Sequence, residues 1–72
     1  MEEHHIHDIK VGFHGGTEEA RSFLKHDLSR DGAQRLFTRA REKGEDHFMV
    51  DGAKFKVISD KEGNLSIDKS HI

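Results

Sequence analysis

The sequence predicts a single small α+β domain with its elements in the order β-α-α-β-β-β. Three observations carry this. Apolar residues alternate near both ends of the chain but recur at helical spacing in the middle. Glycines mark the boundaries between these regimes. The length, 72 residues, leaves room for one domain spanning 1–72. Phe13, Phe23, Phe37, Phe48 and Phe55 each fall inside a patterned segment, as a shared core requires.

The first segment is HHIHDIKVGF. Ile9, Val11 and Phe13 alternate with Lys10 and Gly12, the pattern of a strand with one buried face. Read as one strand, it puts His5 and His7 on the same side as Ile9 and Val11 and leaves the first few residues frayed. Gly12, Gly15 and Gly16 then turn the chain. Thr17 is placed to cap a helix running to Leu28, with Glu18 and Glu19 favouring the positive end of its dipole. Ala20, Phe23, Leu24 and Leu28 share one helical face.

A second helix follows a short interruption. Asp31 with Gln34 has the spacing of a capping box. Ala33, Leu36, Phe37 and Ala40 form its apolar stripe, and Gly44 is placed to end it in a left-handed conformation. From Asp46 the alternation returns. HFMV and AKFKVIS flank Asp51-Gly52, a strong hairpin signal, and NLSID supplies a last strand after DKEG. The C-terminal strands are expected as an antiparallel meander with both helices packed on one face. The last four residues are expected to fray.

Composition narrows the function. Charged residues make up 36% of the chain and apolar residues 32%, so the core is small. There is no cysteine and hence no disulfide. A metal, a partner chain or good packing must supply what a small core lacks. No apolar run is long enough to span a bilayer. MEEHHIHD is acidic and polar, unlike a signal peptide. These features lead us to expect a cytoplasmic protein of bacterial or phage type, with no membrane partner. The net charge of −2 gives no global attraction to nucleic acid.

Four local patterns carry candidate chemistry. His5 and His7, two apart on a strand, are spaced to converge on one ion, so zinc binding or pH sensing is one reading. Further ligands would have to come from Asp8, His14, His26 or His47. The plainer reading is a polar strand end with no cofactor. VGFHGGTEEA joins a strand, a glycine loop and a helix start, but lacks the phosphate-loop spacing and any cation; it reads as a sharp turn. The second helix is basic. Arg30, Arg35, Arg39, Arg41 and Lys43, flanked by Lys54 and Lys56, can be read as a helix-turn-helix with a wing that binds nucleic acid. The plainer reading is a solvated helix face. Ser22 and His26 lie four apart on the first helix, a spacing that recurs by chance, so no enzyme and no small-molecule substrate are expected.

The expectation is therefore a non-enzymatic module that binds a protein partner or a second copy of itself. A marginal core gains from an added interface. The sheet also has edges, the His-rich segment and the outermost meander strand, that can accept another strand. Met49 and Ile58, opposite the Phe48/Val50 and Phe55/Val57 face, are the residues expected at an interface; the plainer reading is scattered surface apolar residues, which are normal.

Overall fold

The computed structural model describes residues 1–70. The chain forms one five-stranded mixed sheet with its helices on one face. The strands are β1 (Glu2–Ile6), β2 (Ile9–Phe13), β3 (Glu45–Val50), β4 (Ala53–Ser59) and β5 (Leu65–Lys69). The helices are α1 (Glu18–Ser22), extended by a π-helical turn over Phe23–Asp27, and α2 (Arg30–Lys43). The α+β class and the order of strand segment, two helices and three strands are as the sequence predicts. β3, β4 and β5 make the antiparallel meander.

The N-terminal segment differs from a single strand. It folds back at His7-Asp8 into an antiparallel hairpin that pairs Ile6 with Ile9 and Glu2 with Phe13. His7 and Asp8 have φ of 49° and 70°, the two left-handed residues of a type I′ turn. Neither is glycine, which hides the turn from a search for glycine or proline. Histidine and aspartate are, however, among the residues that best tolerate this region. His7 is also held in place, because its Nε2 lies 3.0 Å from the Leu28 carbonyl. Pairing with β2 begins at Glu2, within the stretch expected to fray.

The sheet order is β1-β2-β5-β4-β3, with β2 parallel to β5. β1 and β3 are thus the edges. On the covered face, Ile6, Val11, Phe13, Phe55, Val57 and Ile67 pack against Ala20 and Leu24 of the first helical segment and Leu36 and Phe37 of α2. Phe23, Phe48 and Phe55 stack in series at the β3 side, with ring centroids 6.1 and 5.8 Å apart. Among the described residues, the other face carries no helix.

Two caps differ from expectation. Ser29, not Asp31, caps α2: its Oγ accepts the Gly32 N–H at 3.1 Å, and Asp31 lies inside the first turn. Thr17 precedes α1, but its buried hydroxyl donates to the His14 carbonyl at 2.6 Å instead of capping the helix. Gly44 ends α2 at φ 92°, as expected. β5 continues through Lys69, and the Ser70 N–H donates to the Lys54 carbonyl. The remainder of the expected C-terminal fraying, at 71–72, lies outside the described residues.

Candidate functional site: the two sheet edges

The register fixes which backbone groups each edge strand presents. In β1, the closing pair of the hairpin is Ile6/Ile9. The hydrogen-bonded pairs therefore recur at His4/Val11 and Glu2/Phe13. The N–H and C=O groups of Glu3 and His5 point away from β2, into solvent. Both residues are exposed, and among the described residues no group bonds these backbone atoms. In β3, Val50/Ala53, Phe48/Phe55 and Asp46/Val57 are the bonded pairs, so Glu45, His47 and Met49 face outward.

The two edges are not equivalent. On β3, the Asp46 carboxylate folds back on its own strand. Its Oδ1 accepts the His47 N–H at 3.0 Å, and its Oδ2 accepts from Arg39 Nε of α2 at 2.8 Å. The Arg39 hydrogen bond is the main reason the Asp46 pKa lies below the ordinary aspartate value, reinforced by the His47 N–H and opposed by partial burial. The central outward amide of β3 is thus occupied. A strand approaching that edge meets a used donor and a side chain in its path, a recurrent way of protecting an edge. Among the described residues, β1 has no such block.

The side chains of β1 alternate as its pairing dictates. His4 packs edge-on against Phe13, with centroids 5.7 Å apart, on the covered face. Its Nε2 lies 2.8 Å from Arg21 Nη1 and 3.1 Å from Glu2 Oε2. One nitrogen cannot serve both: unprotonated it accepts from Arg21, protonated it donates to Glu2. Glu2 has its pKa lowered, first by the His4 hydrogen bond and charge and then by Arg21. Arg21, with Met1, Glu2, Phe13 and Thr17, lines a surface cleft of about 250 Å³. Glu3 and His5 stand on the open face, where Glu3 Oε2 lies 3.5 Å from Lys10 Nζ.

The candidate residues read from sequence are scattered. His5 projects from the open face, while His7 sits in the turn with its Nε2 against the Leu28 carbonyl. The hairpin thus separates the pair that a continuous strand would align. Among the described residues, no group of three or more His, Asp or Glu side chains is placed to hold a metal ion. The basic set is divided in the same way. Arg39 is engaged by Asp46, Arg41 Nε donates to the Gly63 carbonyl at 3.2 Å, and Arg30 lies 3.5 Å from Asp8. Arg35 and Lys43 are exposed on α2. Lys54 and Lys56 project from the open face of β4, on the other side of the sheet from α2.

Met49 and Ile58 do share the open face, but their register separates them. Met49 is opposite Lys54 while Ile58 is opposite Glu45, about 13 Å apart along the strands at roughly 3.3 Å per residue. Met49 is 61% exposed. With lysines between them, they make two isolated apolar points. Ser22 and His26 are both exposed on the helix surface. Among the described residues, no helix is long and apolar enough to cross a membrane.

Sequence reasoning recognised the His-rich segment as an edge but missed Glu3 and Asp46. The only signal for Glu3 was that His7 and Asp8 are residue types that tolerate the left-handed region, which permits a turn there without announcing one. The chain matches no known protein family, no curated protein and no solved structure.

Proposed function

We propose that this domain is a non-enzymatic protein-binding module that captures an extended segment by strand addition at β1. The observation that carries the reading is the asymmetry of the edges. β1 presents the exposed backbone groups of Glu3 and His5, while β3 has its central amide closed by Asp46. An added strand gains main-chain hydrogen bonds on one side of an existing sheet, and alternate side chains then set its specificity. The basic residues of α2 and β4 lie on opposite faces, which favours this reading over a winged nucleic-acid binder.

The test is an amide NMR titration with extended peptides selected from a random displayed library. Binding is expected to shift Glu3 and His5 and to slow hydrogen exchange at both amides. His5→Pro removes an outward N–H without breaking the β1–β2 ladder, so it should abolish binding while the fold persists. Shifts centred on Arg35 and Arg39 with duplex DNA, lost on adding salt, would instead make the domain a nucleic-acid binder. Peptide binding unaffected by His5→Pro would remove β1 as the site.

A further inference from the structure

We infer that the occupant of the β1 edge is a second copy of this chain, paired β1 to β1 about a two-fold axis at His4. This inference rests on the strand-capture reading above and names its partner.

The register follows from the residues. An axis at His4 places Glu3 of one copy opposite His5 of the other, twice. These are the residues whose N–H and C=O groups point outward, so each such pair exchanges both of its hydrogen bonds. The same pairs set a carboxylate beside an imidazole on the open face, with Lys10 next in the row beyond His5. Opposite charges across a strand pair are favourable and like charges are not.

Neighbouring registers are worse. An axis at Glu3 puts two Glu3 side chains face to face. An axis at His5 calls on His7, which is turned out of the extended region at φ 49°. On the covered face, each Arg21 already lies beside Glu2 and His4 of its own chain, at 3.5 and 2.8 Å, so the axis gathers no free cation.

The β3 edge does not offer the same solution. Asp46 occupies the His47 amide, so both a β3–β3 dimer and a β1–β3 filament would need a donor that is already used. The assembly therefore closes as a two-fold dimer with one continuous ten-stranded sheet, the sum of two five-stranded sheets.

Sedimentation equilibrium from micromolar to millimolar protein reads the dimer directly. The expected result is a reversible monomer–dimer equilibrium. Glu3→Lys should weaken it by about tenfold, and adding His5→Glu should restore it by exchanging the charges. The chain has no cysteine, so His4→Cys would carry the only thiol. Its Cα should lie about 4.5 Å from its symmetry mate, within disulfide reach. Oxidation is expected to link His4→Cys into a dimer and to leave Met49→Cys monomeric.

A wild-type chain that stays monomeric at millimolar concentration, while still binding peptides at β1, would overturn the second copy and leave strand capture standing. A dimer that neither responds to the charge exchange nor cross-links at position 4 would overturn the β1 interface.

Discussion

Asp8 and Gly52 hold the same place in two turns of one type, each the second residue of a two-residue loop, at φ 70° and 84°. A side chain at this conformation is strained, and only glycine adopts it freely. The two positions should therefore respond to substitution with opposite sign. Asp8→Gly is expected to stabilise the fold by about 0.5 kcal/mol, relief of strain exceeding the added freedom of the unfolded chain. That corresponds to a rise in Tm of roughly 2–4 °C. The change also removes a 3.5 Å pair with Arg30, but both side chains are exposed, so its loss costs little. Gly52→Ala is expected to destabilise by about 1 kcal/mol. Urea unfolding of both variants checks the pair of signs. Two losses would mean that Asp8 is held by something other than its turn.

At the scale of elements, legibility follows how each element is punctuated. Asp51-Gly52 announces the β3–β4 hairpin because glycine is required there. His7-Asp8 makes the same turn silently, so β1 and β2 read as one strand. The helices were readable from their stripes, but not the π-helical turn. There the Leu28 N–H bonds the Phe23 carbonyl, five residues back, and the apolar spacing of Ala20, Phe23, Leu24 and Leu28 is the same for either winding. The cap of α2 was misplaced because Ser29 and Asp31 are both good capping residues and only the path of the chain decides between them. Ser29→Ala should cost about 1 kcal/mol. Asp31→Ala, which removes only a charge near the helix start, should cost about 0.3–1 kcal/mol at low salt and less when salt screens it. Equal, salt-independent losses would contradict the assigned cap. The candidate site was half readable. The faces of Met49 and Ile58 follow from alternation, but the closing of the β3 edge by Asp46 depends on α2 bringing Arg39 across it.

At the scale of the whole molecule, three carboxylates tie separate parts of the fold together, and their pKa values set its response to acid. Asp46 joins α2 to the β3 edge through Arg39. Glu2 joins β1 to α1 through His4 and Arg21. Asp60 builds the β4–β5 turn by accepting the Glu62 and Asn64 backbone N–H groups and the Asn64 side-chain amide. All three have pKa values lowered in the folded chain: Asp46 first by Arg39, Glu2 first by His4, and Asp60 first by the Asn64 N–H. A lowered folded pKa means that the unfolded chain binds more protons over the window between the two values, so stability rises with pH there. The contribution is complete above the ordinary carboxylate range, about pH 5, and is lost as pH falls through about 4 and below. Stability measured by urea unfolding should therefore decline on the acid side of about pH 4. Asp46→Asn keeps a side chain of the same size and an oxygen to accept the His47 N–H, but loses the charged pairing with Arg39. It should lower stability near neutral pH by about 1 kcal/mol, because the Arg39 side chain is half exposed and screening limits what the pair contributes. It should also make the acid limb shallower, since one of the groups that takes up a proton is gone. An acid limb as steep in Asp46→Asn as in the parent would show that neither the Arg39 pairing nor the His47 N–H holds the Asp46 carboxylate in solution, and the β3 edge would then be as open to a partner strand as β1.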